Sequence, residues 1–378
     1  DQSALDDLMD KLVALRHQVA LNADFKNFRD YQFAALHRFD YGPQDCEAFH
    51  QSIREKVVPL TTKRLEKRRK EMGLETLRPY DLSVDPKNQP ALSPFKTSDE
   101  FLEKSIQCLN RIDPSFGALL AVMGQDGYLD LDSRKGKAPG GFNYSLNESG
   151  IPFIYMNASG RHQDIETMIH EAGHAVHALI DAQHIDFTPA RSTPAEVAEV
   201  ASMGLELISM GAWDIFYPDP QDLKRAQIEK LEDILASLPA VAKVDSFQHW
   251  LYLNPDHTPE TRAQKWMEIE DQYSSRLIDQ TGYEDLRKIV WQRILHIFEV
   301  PFYYVEYGFA QLGAVALWRH YLQDPQKALE AYKSFMQYGY TLTIPELYEK
   351  AGIKFDFSPQ YIGELMDFVE VQLQKLED

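Results

Sequence analysis

A mainly α-helical fold with one small antiparallel β-sheet is what this sequence predicts, and three observations carry it. Apolar residues recur at spacings of three and four along most of the 378 residues, the mark of amphipathic helices. Between about Tyr128 and Asn157 that period vanishes. There Gly136, Gly140 and Gly141 precede two short apolar runs, Phe142 to Leu146 and Ile151 to Met156, as in strands joined by turns. Finally, 44% of the residues are hydrophobic, enough for a large core in one domain or two closely fused subdomains.

The elements follow in order. Residues 1–40 read as a long helix with Leu5, Leu8, Leu12, Leu15 and Val19 on one stripe, and residues 44–73 as a second, bent near Pro59. The run Lys67-Arg68-Arg69-Lys70 has no interleaved aromatics and reads as a solvated helix face. Asp81 to Phe95 is a Pro-rich loop. Thr97-Ser98-Asp99-Glu100 is a capping box opening a helix that ends near Asp113-Pro114. The sheet comes next, with Phe153 to Asn157 as its expected edge strand, fit to hold an extended peptide. Lys137 to Phe142 (KAPGGF) reads equally as a loop closing over substrate or as a plain connection. Beyond the sheet the chain is helical to its end.

His170-Glu171-Ala172-Gly173-His174 is the segment richest in chemistry. It lies in DIETMIHEAGHAVHALID, where Ile165, Met168, Ile169, Ala172, Val176 and Leu179 form one apolar stripe. On a helix, imidazoles four residues apart can reach one metal ion. The carboxylate after the first His is turned about 100° round the axis, so it can approach a metal-bound water without ligating the metal. The competing reading is a pair of hydrogen-bonded core histidines. Gly173 costs helix stability, and its expected use is the close approach of a second element.

A catalytic zinc takes three protein ligands and leaves one position open. The next helix starts at Ser192-Thr193-Pro194-Ala195-Glu196, with Thr193 as the expected N-cap, Pro194 at N1 and Glu196 at N3. Glu199 follows one turn later among small residues (Ala195, Ala198 and Ser202) and is the candidate for the third ligand, the competing reading being a solvated helix charge. Glu206, two turns further on roughly the same face, is expected behind the ligands. His177 reads as a core histidine, and His162, His184 and His249 have no partner pattern.

Net charge is −19, which argues against nucleic acid and anionic membranes as partners. Cys46 and Cys108 are far apart in sequence and outside any metal-type spacing, so a reducing compartment, the cytoplasm, is expected. There is no run of 18 apolar residues.

HEAGHAVH followed by AEVAEVASMGLEL resembles the M3 family of zinc metallopeptidases, above all its oligoendopeptidase F branch. The likeness extends to Pro152–Asn157, Leu295–Ala310, Phe28-Arg29-Asp30-Tyr31, Arg78-Pro79-Tyr80-Asp81 and Ile344–Leu376, nearly the whole chain. It implies a zincin-like, neurolysin-like helical fold with its sheet beside the metal helix. It also implies one Zn2+ per chain on His170, His174 and Glu199, with Glu171 as general base. A His and tyrosines of the Tyr-rich segment would contact the substrate carbonyl. These are carried over to His296, Tyr304 and Tyr307. The distance from His296 is one residue shorter than in the thimet-type pattern, so Tyr303 competes with Tyr304. Family members carry a further N-terminal helical lobe, which this sequence is expected to lack. The expected organisation is one catalytic domain over residues 1–378, with helical parts at 1–125 and 211–378 flanking the sheet and zinc helices at 126–210.

The function so implied is a zinc oligoendopeptidase acting on short unstructured peptides. Two alternatives stay open: a dipeptidyl carboxypeptidase of the same family, and a non-catalytic zincin-like protein that binds peptides.

Overall fold

The computed structural model describes residues 1–378 and is mainly helical. Its helices are α1 (Gln2–Asn22), α2 (Phe28–Ala35), α3 (Pro43–Ser52), α4 (Val58–Glu71), α5 (Ser98–Ile112) and α6 (Pro114–Gln125). The strands β1 (Leu129–Asp132), β2 (Phe142–Tyr144) and β3 (Phe153–Ala158) follow. Then come α7 (His162–His184), α8 (Ala195–Ser209), α9 (Pro220–Leu253), α10 (Pro259–Tyr273), α11 (Glu284–Ile289) and α12 (Leu295–Glu299). The last are α13 (Tyr304–Tyr321), α14 (Pro325–Phe335), α15 (Ile344–Lys350) and α16 (Pro359–Glu377). The chain divides into two compact units. One comprises residues 1–89, 232–308 and 356–367, the other residues 90–231, 309–355 and 368–378.

In the first unit, the expected helix over residues 1–40 is broken. Asp24 takes a left-handed φ of 62°, and the Asn27 side chain accepts from the Asp30 amide to start α2 afresh. The predicted bend near Pro59 is a π-helical stretch, Ile53–Val57, between α3 and α4. A proline removes one amide from the ladder, and the wider turn absorbs the loss. Phe49, Phe247, Trp266, Trp291 and Phe302 are fully buried here.

In the second unit Thr97 caps α5 as expected, accepting from the Glu100 amide at 3.2 Å. Thr193 does not cap α8. Pro194, with ψ at 145°, is the N-cap, and no side chain caps that end. The helix therefore starts one residue late, and the Thr193 hydroxyl is left buried without a partner. The sheet order is β1-β3-β2. β2 pairs antiparallel with β3, as expected, while β1 joins β3 in parallel. Phe153 to Asn157 is thus the central strand, and β2 is an edge. Sequence alternation marks strands but does not order them.

Candidate metal centre and the aromatic cluster

α7 and α8 pack at van der Waals distance because Gly173 has no side chain. A Cβ there would lie 2.6 Å from Ser202 Cα and 2.8 Å from the Ala201 carbonyl oxygen. The apolar stripe of α7, from Ile165 through Val176, is buried, while Leu179 remains half-exposed. This anchors His170 and His174 at the edge of the core, where α8 presents Glu199 to both. His170 Nε2 lies 3.2 Å and His174 Nε2 3.5 Å from Glu199 Oε2. A tetrahedral zinc with bonds of about 2.0–2.2 Å would set its ligand atoms about 3.3–3.6 Å apart, so the three side chains have the spacing of zinc ligands.

The surroundings orient these groups. His170 Nδ1 is 2.6 Å from Glu206 Oε1, which leaves Nε2 turned toward Glu199. Glu206 in turn pairs with the buried Lys230 of α9. The Ser202 hydroxyl donates to Glu199 Oε2 at 2.9 Å. Burial opposes the charge on Glu206, but Lys230 and His170 prevail and hold its carboxyl at about 2. Burial also opposes a proton on His170, yet Glu199 and Glu206 overcome it and raise its pKa well above the usual imidazole range. That stored proton would have to leave when a metal binds. The imidazoles of His170 and His174 keep about a fifth of their surface in solvent, whereas Glu199 keeps 7%. The site is closed behind and open in front.

Glu171 stands on the adjacent face of α7. It is 5% exposed, its Oε2 has no hydrogen-bond partner, and burial raises its pKa. The edge strand runs beside it. Asn143 Nδ2 donates to the Glu171 carbonyl at 3.3 Å, and a Cβ on Gly141 would come 3.4 Å from Glu171 Oε1. The KAPGGF segment is fastened down. Lys137 Nζ donates to the carbonyls of Asp130 and Asp132 at 3.0 and 2.8 Å. Asn157 Nδ2 donates to those of Ala138 and Gly140 at 2.8 and 3.0 Å. It is a connection tied to the sheet.

In the first unit the Tyr-rich segment forms a cluster of its own. His296 has its ring 5.1 Å from that of Tyr304, 5.8 Å from that of Tyr307 and 6.1 Å from that of Tyr303. The Tyr307 hydroxyl is 3.4 Å from His296 Nε2. All four side chains are half-buried. Burial lowers the His296 pKa and raises that of Tyr304, so near neutral pH both are uncharged donors. Tyr303 belongs to the cluster as much as Tyr304 does.

A third polar group is barely marked in the sequence. His50 Nε2 is 2.8 Å from Asp245 Oδ2, and His249 Nε2 lies 3.2 Å from the same oxygen. Asp245 is fully buried, His50 5% exposed and His249 6%. Cys46, one turn before His50, completes a grouping with Asp245 and His249. His50 and Asp245 are 195 residues apart, so only the i,i+4 spacing of Asp245 and His249 was visible in advance. Neither Cys46 nor Cys108 forms a disulfide, and no helix is long and apolar enough to cross a membrane.

Comparison with known proteins bears on the fold and the family. PZ peptidase A, solved with an inhibitor, superposes with a TM-score of 0.92 at 29% identity, covering 99% of this chain and 66% of that one. An oligoendopeptidase F from Enterococcus faecium shares the fold at a TM-score of 0.65 and 18% identity, covering 99% of this chain and 60% of its own. Oligopeptidase PepF of Bacillus subtilis (strain 168) is 24% identical over 335 residues, 85% of this chain and 48% of that protein. The plasmid oligoendopeptidase F of Lactococcus lactis subsp. cremoris is 20% identical over 369 residues, 94% of this chain and 58% of its own length. The chain thus spans about half the length of the curated relatives it matches. The model of peptidase family M3 matches residues 1–366: the chain belongs to peptidase family M3, in the company of the oligoendopeptidases F.

Proposed function

We propose that this chain is the catalytic part of a zinc-dependent oligoendopeptidase that hydrolyses internal bonds of short, unstructured peptides. The observation that carries the reading is the convergence of His170, His174 and Glu199 at ligand spacing, with Glu171 buried beside them. Zinc held by those three would supply Lewis acidity, acidifying a water and polarising the scissile carbonyl.

The chain's own residues do the rest. Glu206 holds His170 Nδ1 and so turns Nε2 toward Glu199, the orientation in which the two would hold the metal. The Glu171 carboxylate takes a proton from the attacking water and returns it to the leaving amine. Burial raises its proton affinity toward what both transfers need. An extended peptide lies along β2, whose outer edge is unpaired in the sheet, and backbone hydrogen bonds there hold it without regard to sequence. His296, Tyr304 and Tyr307, uncharged and able to donate, are assigned to the carbonyl oxygen as it gains charge.

The test is mass spectrometry of products from one internally quenched peptide of about ten residues, long enough to fill an extended groove. Zinc-loaded wild type is compared with Glu171→Gln. Internal cleavage by wild type is expected. The variant should keep its zinc and lose about 10²–10⁴-fold in turnover. Dipeptides released in sequence from the C-terminus would identify an exopeptidase instead. Full activity in Glu171→Gln would remove Glu171 from the mechanism.

A further inference from the structure

We infer that Gln248 and Arg38 are positioning residues, which set the geometry of the His296–Tyr304–Tyr307 cluster by clamping the turn at Phe302. The inference rests on the proposed role of that cluster and goes beyond it to residues that touch neither substrate nor metal.

The cluster is split between two helices. His296 lies on α12, Tyr304 and Tyr307 on α13, and only residues 300–303 join them. Within that joint Phe302 has φ at 69°, a left-handed conformation that L-residues with bulky side chains avoid. Such a conformation persists only where the surroundings over-determine it. Phe302 is fully buried, its ring packed against Phe33, His249 and Tyr252 at 5.5, 5.4 and 5.5 Å. Its backbone groups therefore cannot turn to water. Both are met by buried side chains from distant parts of the chain. The Phe302 amide donates to Gln248 Oε1 at 2.8 Å. Its carbonyl accepts from Arg38 Nη2 at 2.6 Å.

Arg38 does more than hold the carbonyl. The same Nη2 is 2.5 Å from Glu306 Oε1 in the first turn of α13. One guanidinium thus ties the turn to the helix that carries both tyrosines. Gln248 is specialised for the other half of the clamp, because its Nε2 has no hydrogen-bond partner. Its one service is the acceptor offered to Phe302. Remove the acceptor and the turn relaxes toward ordinary φ values, rotating α12 against the start of α13 and separating His296 from the tyrosine hydroxyls.

The experiment is a double-mutant cycle on the zinc-loaded chain, with Gln248→Leu, Tyr307→Phe and the pair. Gln248→Leu keeps the volume and deletes the acceptor. It should lower kcat by up to about 10²-fold, the effect of misplacing a group by about 1 Å. KM and zinc content should stay near wild type. In the Tyr307→Phe background Gln248→Leu should cost clearly less than it does in wild type, because one of the groups it positions is already gone and only His296 and Tyr304 remain to be misplaced. Gln248→Glu keeps an acceptor and forfeits no bond, so it should recover most of kcat. A Gln248→Leu enzyme with wild-type kcat, or losses that multiply in the double variant, would overturn the proposal while leaving the tyrosines in place. Wild-type kcat in both Tyr304→Phe and Tyr307→Phe would overturn the reading of the cluster itself, and the clamp's catalytic role with it. Should Gln248→Leu fail to fold, Gln248→Asn withdraws the acceptor by one methylene and is read in the same cycle.

Discussion

Two clusters of histidine and carboxylate in this molecule share their composition and differ in almost everything else. In one, His170 and His174 meet Glu199 from the next helix. In the other, His50 meets Asp245 from α9, with His249 one turn on. Both use residues four apart on a helix. The first has side chains 3.2 and 3.5 Å apart and leaves its imidazoles about a fifth exposed. The second closes to a direct 2.8 Å hydrogen bond and is sealed from water. Four-residue spacing on a helix alone therefore does not tell the proposed metal site from a buried polar network. What sets the proposed site apart is its open face and the outer carboxylate of Glu206, which holds His170 Nδ1 and leaves Nε2 turned toward Glu199.

The largest expected contrast is in metal content. Glu199→Ala should bind far less than one zinc per chain after dialysis, measured by atomic emission. Asp245→Ala should keep one. Zinc retained by Glu199→Ala would show that the third ligand lies elsewhere. Zinc lost from Asp245→Ala but kept by Glu199→Ala would reverse the assignment of the two clusters. A subtler difference concerns orientation. Glu206→Gln leaves His170, His174 and Glu199 intact but removes the charge opposite His170 and Lys230. Zinc affinity should fall about 10–100-fold in chelator competition. An unchanged affinity would mean that the packing of α7 on α8 alone aims the ring.

The sequence made the first cluster legible and the second nearly invisible, for a physical reason. His170, Glu171 and His174 lie on one helix, and Glu199 follows on the next among small residues. Helical periodicity and a local turn were enough to bring them together. Gly173 even announced the close approach, and a Cβ there would indeed meet Ser202. Glu206 was legible as a neighbour on the same face. Lys230 was not, since its place depends on how α9 returns to α8. The pairing of His50 with Asp245 and of Gln248 with Phe302 spans 195 and 54 residues, and no periodicity encodes such distances. The sheet failed similarly at one point. Alternation marked Phe153 to Asn157 as a strand, but its central place depends on β1 pairing in parallel on its other side. The capping error at Thr193 is of another kind: Pro194 has an extended ψ and takes the N-cap itself.

The smallest expected effect, and the one most specific to the sealed cluster, is on stability as a function of pH. Burial works against a charge on Asp245, but His249 and His50 prevail and hold its carboxyl well below the usual carboxylate range. Because the folded-state pKa is depressed, the ionised group stabilises the fold above its unfolded pKa of about 4. That contribution is lost as pH falls from there toward the folded value. Asp245→Asn keeps the shape and removes the charge. It should therefore unfold at lower urea than wild type at pH 7, by roughly 1–3 kcal/mol for a compromised buried hydrogen bond. The gap should narrow below about pH 4, where the unfolded chain takes up the proton that the folded Asp245 still refuses. Zinc content and, at pH 7, turnover should not change. A gap that stays constant with pH would mean that Asp245 serves by shape and hydrogen bonding alone. A variant that loses turnover while still folded and zinc-loaded would mean that the sealed cluster reaches the chemistry, and Gln248, on the same turn of α9 and bonded to Phe302, is where that route would run.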